Sequence, residues 1–144
     1  MNTIDIKAKK ENFQYWLFEM ENILEKFEKE FKEETFYNLN YSVESLLKLE
    51  EWILLNYFSM EDARNPKHKI RNDKIIRYIG KTFTQNIGGV WKLDSEDEKS
   101  AYYLLPIIVD YKNYTTPICP HRLFTACIDR KKGNFLSVIL KNNL

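Results

Sequence analysis

Apolar residues recur at helical spacing through the first two thirds of the chain and in shorter runs after that. Phe13, Trp16, Leu17, Met20, Leu24, Phe27 and Phe31 share one face of a helix predicted over residues 11–32. Glu25 with Lys29, and Glu28 with Lys32, stand four apart on its flank and add support of about 0.2–0.5 kcal/mol each. Tyr15 and Phe18 lie off the stripe and either extend the core contact or mark a second contact surface. Ser42 is placed to cap a second helix that runs to about residue 58, with Glu44 near its positive end. That helix is apolar nearly all round, from Val43 through Leu46, Leu49, Trp52 and Ile53 to Phe58, so it is central or covered by a partner.

Residues 60–72, with Pro66 and many charges, read as a loop. A third helix is predicted over 72–87 on the stripe Ile75, Ile76, Ile79, Phe83 and Ile87. Gly80 lies on that stripe. Glycine inside a helix costs up to about 1 kcal/mol relative to alanine, so a close backbone approach is expected there. Gly88 suits the position after the helix, where φ is positive.

Beyond Gly89 the pattern changes to short apolar runs, which predict strands at 90–93, 101–111, 123–128 and 135–140. Pro106 within the second run places it at an edge or a bulge. Asp129 to Gly133 reads as a hairpin turn. The expectation is one α+β domain over residues 1–144: three helices within 11–87, packed on one face of a four-stranded, mostly antiparallel sheet within 88–144.

Composition narrows the function classes. A chain of 144 residues, 44% hydrophobic and 30% charged, has the make-up of a globular domain with a core of its own. A net charge of +1 creates no global field that demands nucleic acid. The local distribution is uneven. Residues 11–34 are rich in Glu. Arg64, Lys67, Lys69, Arg71, Lys74, Arg77 and Lys81 are opposed only by Asp73 over their stretch. The polar start of the chain lacks a signal-peptide core, no apolar run is long enough for a bilayer, and two cysteines show no pairing logic. A reducing, cytoplasmic setting is the expectation.

The candidate chemistry is sparse. Cys119-Pro120-His121 puts a thiol two residues from an imidazole, the residue types of a nucleophile and its base, or simply a loop cysteine and a hydrogen-bonding histidine. Cys119, Cys127, His68 and His121 lack the spacing of a zinc site, and no metal or cofactor is expected. Gly88-Gly89 follows a helix, whereas phosphate cradles precede one. Asp94, Glu96, Asp97 and Glu98 crowd one turn as solvated charges. Asp110 interrupts an apolar strand and, if buried, needs Arg122 or Arg130. Each of Trp16, Trp52 and Trp91 is either a core residue or an interface anchor.

Tyr78-Ile79-Gly80 followed by Gly88-Gly89-Val90-Trp91 resembles a pattern of small bacterial α+β domains of unknown function, some of them immunity or accessory proteins beside polymorphic toxins. The pattern often has Glu after Tyr-Ile-Gly, where this chain has Lys81. The resemblance implies a fold and no catalytic residues.

The leading expectation is therefore a non-enzymatic bacterial protein-binding protein of the immunity or accessory type, whose partner is another protein such as a toxin. Its candidate contact residues are Tyr15, Phe18, Asp94, Glu96, Asp97, Glu98, Tyr114 and His121. A homodimer through the second helix is a further expectation. The alternatives are a small-ligand or enzyme pocket lined by Tyr102, Tyr103, Cys119 and His121, or nucleic-acid binding through residues 64–81.

Overall fold

The structure, a computed structural model, describes residues 3–144. Among these residues the chain forms seven α-helices and one two-stranded antiparallel sheet. The predicted four-stranded sheet under three helices is overturned.

The first predicted helix is two helices, α1 (Thr3–Phe18) and α2 (Met20–Thr35), which meet at Glu19. Arg77 explains the break. Its Nη1 donates to the Trp16 carbonyl at 2.7 Å, the oxygen that a continuous helix would offer to the Met20 N–H. A side chain inserted into the backbone ladder in this way bends a helix. Met20, Leu24, Phe27 and Phe31 bury the stripe on α2.

Helix α3 (Val43–Asn56) starts as its sequence indicates, with the Ser45 N–H donating to Ser42 Oγ at 3.0 Å. Leu46, Leu49 and Ile53 are fully buried, whereas Leu47 and Leu55 are exposed, so none of the described residues covers that outer side. The charged segment that follows holds a short α4 (Met60–Ala63) and a 3-10 turn over Pro66–His68. Helix α5 (Lys69–Ile87) crosses the centre of the molecule with Ile75, Ile79 and Phe83 fully buried.

Strand β1 (Gly88–Leu93) pairs with β2 (Pro106–Tyr111), with Gly88 opposite Tyr111 and Leu93 opposite Pro106. Pro106 is the first residue of its strand, a place where a missing donor is tolerated. Residues 101–105, predicted as strand, form a turn instead. Ile118 adds a single bridge to Ile108 on the far side of β2.

The last two predicted strands are helices, α6 (Pro120–Arg130) and α7 (Phe135–Asn142). Pro120 stands at the first turn of α6, where its fixed φ favours a helix start. Phe124, Cys127 and Ile128 then fall at helical spacing and are buried. The expected hairpin turn is the junction between α6 and α7. Lys131 caps α6 in the left-handed conformation at φ 52°, and its N–H donates to the Cys127 carbonyl at 3.2 Å.

Helix α7 receives its cap from a distant residue. Glu50 of α3 is fully buried, and its carboxylate accepts from the N–H groups of Phe135 at 3.0 Å and Leu136 at 2.8 Å. The residue before α7, Asn134, makes no cap bond of its own. Leu136 and Leu140 are thereby held, fully buried, in a core with α3.

Candidate functional site

A hollow beside the candidate histidine lies between α4, the 3-10 turn, the first turns of α5 and the start of α6. Its volume is about 650 Å³. Met60, Ile76 and Phe124 supply an apolar wall, and Arg64, Lys69, Asn72, Asp73, His121 and Arg122 supply polar groups. Asp73 is engaged on both oxygens, accepting from Trp16 Nε1 at 2.7 Å and from Arg77 Nε at 2.7 Å. Asn72 is likewise held, with its Oδ1 accepting from Tyr57 Oη and its Nδ2 donating to the Ala63 carbonyl at 2.8 Å.

His121 is half-buried as a residue, but its Nδ1 is buried and has no hydrogen-bond partner among the described residues. Burial holds its imidazole below the usual histidine pKa. Asp73 acts in the opposite direction, and Arg122 adds to the lowering. The ring therefore stands neutral near pH 7.

Cys119 does not join His121 in this cleft. It is buried beside a separate groove of about 350 Å³ lined by Tyr102, Tyr111, Thr116 and Ile139, and burial pushes its thiol pKa up. A thiol that is hard to ionise is a poor nucleophile. The pocket expected from Tyr102, Tyr103, Cys119 and His121 thus splits across the start of α6. Asp110 is exposed at φ 57° and needs neither Arg122 nor Arg130 as a partner. Cys127 is buried, with its thiol pushed up by burial and then by Glu50. Among the described residues no group of three or more His, Cys, Asp and Glu side chains is arranged to hold a metal ion.

No protein-family model, curated protein or solved structure matches the chain. The glycine and tryptophan pattern is accounted for by packing. A Cβ on Gly80 would lie 2.0 Å from Trp91 Cη2, so the indole rests directly on the α5 backbone. On Gly89 it would meet the Val109 carbonyl at 2.8 Å. Trp91 also meets the Trp16 ring edge-on at 5.0 Å, which ties α1 to β1.

The remaining candidates are dispersed. Tyr15 and Phe18 are 70% and 84% exposed, three residues apart on one side of α1. The residues of the acidic turn do not all face outward. Asp94 accepts from Ser100 Oγ at 2.6 Å, Asp97 accepts from the Lys99 N–H at 2.9 Å, and Glu96 stands 3.8 Å from Lys92. Glu98 is exposed. A groove between α1 and the end of β1, lined in part by Lys10, Glu11, Phe13, Trp91 and Ser95, places this turn next to α1. Tyr114 is partly exposed, with its ring edge on Tyr111 at 5.1 Å, well apart in sequence from both surfaces.

The basic stretch is divided by the fold. Arg71 lies 4.4 Å over the Tyr57 ring and donates to Tyr57 Oη at 3.0 Å. Lys74 pairs with Glu30 at 3.2 Å, Lys81 with Glu21 at 2.8 Å, and buried Arg77 with Asp73 at 2.7 Å. Arg64, Lys67 and Lys69 are the exposed ones. Three exposed cations near one helix start make a short patch and not the stripe that tracks a nucleic-acid backbone. Among the described residues no helix is long and apolar enough to cross a membrane.

Proposed function

We propose that this chain is a non-enzymatic bacterial binding protein of the immunity or accessory type, and that its partner is another protein presenting a basic surface, such as a toxin. The observation that carries this reading is the exposed pair Tyr15 and Phe18. Aromatic side chains bury a large area at little entropic cost and are over-represented among the residues that dominate interface energy.

Charge supports the choice of partner. Between Glu19 and Glu34 the chain carries seven glutamates (19, 21, 25, 28, 30, 33 and 34) against three lysines (26, 29 and 32), a net charge of 3 − 7 = −4. Two of those glutamates answer Lys74 and Lys81. Glu11 and Glu19, each four residues from Tyr15, are exposed beside the aromatic pair. An acidic rim around two aromatic anchors steers a basic partner and fixes its orientation. Two buried, unpaired cysteines fit a reducing, cytoplasmic setting.

The test is affinity capture from the source cell with the native chain and with a Tyr15→Ser/Phe18→Ser variant. Both side chains are exposed, so the variant keeps its thermal midpoint. The expected result is one basic partner retained by the native chain, bound at least about 30-fold more weakly by the variant, and released by added salt. Equal retention by both proteins, or recovery of a bound metabolite and no protein, defeats the proposal.

A further inference from the structure

The cleft at His121 is separate from the acidic, aromatic face and has the opposite charge. Arg64, Lys69 and Arg122 line it, and its one carboxylate, Asp73, is already occupied by Trp16 and Arg77. Helices α5 and α6 both begin against it, which brings Lys69 and Arg122 to its wall. Arg64 and Arg122 stand at a junction, since both also line a second, more open hollow of about 750 Å³ that continues past them toward Ala101 and Asp129. Arg122 is tethered there by donating from Nη2 to the Ala101 carbonyl at 2.8 Å. The inner wall is apolar, formed in part by Ile76 and Phe124. Arg64 and Lys69 are exposed at its mouth, and the buried Nδ1 of His121 has no partner among the described residues.

We propose that this cleft binds a small phosphate monoester with an apolar body, the phosphate held between Arg64 and Arg122 and the body against Ile76 and Phe124. A cleft lined by three cationic side chains, its carboxylate already engaged, favours a dianion over a carboxylate, and planar guanidinium groups bind phosphate oxygens in pairs. A volume of about 650 Å³ is that of a small-molecule site. This site stands independently of the protein-binding reading.

The probe is phenyl phosphate, titrated by amide-resolved NMR and calorimetry in low salt, with inorganic phosphate and phenol as the two halves of the ligand. Phenyl phosphate is expected to bind at least about tenfold tighter than either half, with shifts centred on residues at the starts of α5 and α6. Arg64→Gln and Arg122→Gln each weaken it roughly tenfold at an unchanged thermal midpoint, the effect of losing one charge-assisted hydrogen-bonding group. The His121 imidazole titrates at higher pH in the complex than in the free protein. The Tyr15→Ser/Phe18→Ser variant binds phenyl phosphate like the native chain. Binding unaffected by both arginine variants, shifts that map elsewhere, or no binding at millimolar probe overturns the site. Inorganic phosphate binding as tightly as phenyl phosphate overturns the apolar body.

Discussion

Replacing Glu50 with alanine is the sharpest test of how the C-terminal helices are held. The side chain is fully buried, and its two oxygens accept from the N–H groups of Phe135 and Leu136 at 3.0 and 2.8 Å. Hydrogen bonds to a charged group contribute about 1.5–3 kcal/mol each, and unpaired buried donors carry a further cost. Against this, alanine relieves the desolvation of a buried carboxylate, a charge that is expensive to keep away from water. The balance is a loss of about 3–4 kcal/mol, a large share of the roughly 5–15 kcal/mol that stabilises a domain. Urea unfolding reads it directly. At a slope of about 2 kcal/mol/M, the midpoint falls by about 1.5–2 M with the slope unchanged. Glu50→Gln is milder, because one oxygen still accepts while the new amide NH2 faces a second donor. Hydrogen exchange supplies a local readout. The amides of Phe135 and Leu136 lose protection in both variants before those of α5 do. A midpoint for Glu50→Ala within about 0.5 M of the native value would refute the cap, since among the described residues no other group satisfies both amides.

Three further outcomes are expected. Gly80→Ala lowers stability by about 1–3 kcal/mol in thermal melts, although alanine is the better helix former, because its Cβ would lie 2.0 Å from Trp91 Cη2. Adding Trp91→Phe restores part of that loss, and a raised midpoint for Gly80→Ala alone contradicts the contact. His121 titrates below its unfolded value of 6.5 in NMR spectra, because burial favours the neutral ring. The unfolded chain then binds the extra proton first, so stability is full above about pH 6.5 and declines as pH falls through that value. His121→Gln removes this part of the slope. Arg77→Met costs about 2–3 kcal/mol, taken at the low end for a broken buried pair because Asp73 keeps some contact with solvent. It also changes Trp16 fluorescence, since Arg77 lies 4.5 Å over that ring.

The parts of the fold that were legible in sequence are those whose causes are local. Ser42 caps the helix that follows it, and the stripe from Ile75 to Ile87 is buried as its spacing indicates. Gly80 is where a close approach was expected, and the partner is Trp91 from the same pattern. The misread parts have distant causes. The break at Glu19 comes from a guanidinium that reaches the Trp16 carbonyl from 61 residues away along the chain, and nothing in residues 11–32 announces it. Residues 123–128 and 135–140 are apolar runs of six, a length at which strand and buried helix share one pattern. A local signal was available for α6, because Pro120 precedes Phe124 and Ile128 at intervals of four. For α7 it was weaker: Leu136 and Leu140 are also four apart, but the cap that starts the helix lies on α3.

The same distinction explains the functional residues. Exposure of Tyr15 and Phe18 was readable because they fall outside a helical stripe. The cleft was not readable, because its members come from four elements and most look ordinary in sequence. Arg64 and Lys69 belong to a charged run whose other members the fold consumes: Arg71 on Tyr57, Lys74 on Glu30, Arg77 on Asp73 and Lys81 on Glu21. Only after these pairings are subtracted do the exposed cations stand out, and only the packing of α6 against α5 brings Arg122 and His121 beside them. His121 was paired in sequence with Cys119, its neighbour two positions away. A helix start turns residues two apart by about 200°, which sends the thiol to one groove and the imidazole to the other. On a strand, thiol and imidazole two apart would have shared a face, but both lie ahead of the strand expected over 123–128, where the sequence leaves their mutual reach open. The helix that replaces the strand expected over 123–128 starts at Pro120, and that same start decides between the two readings of the pair by sending the thiol and the imidazole to different grooves.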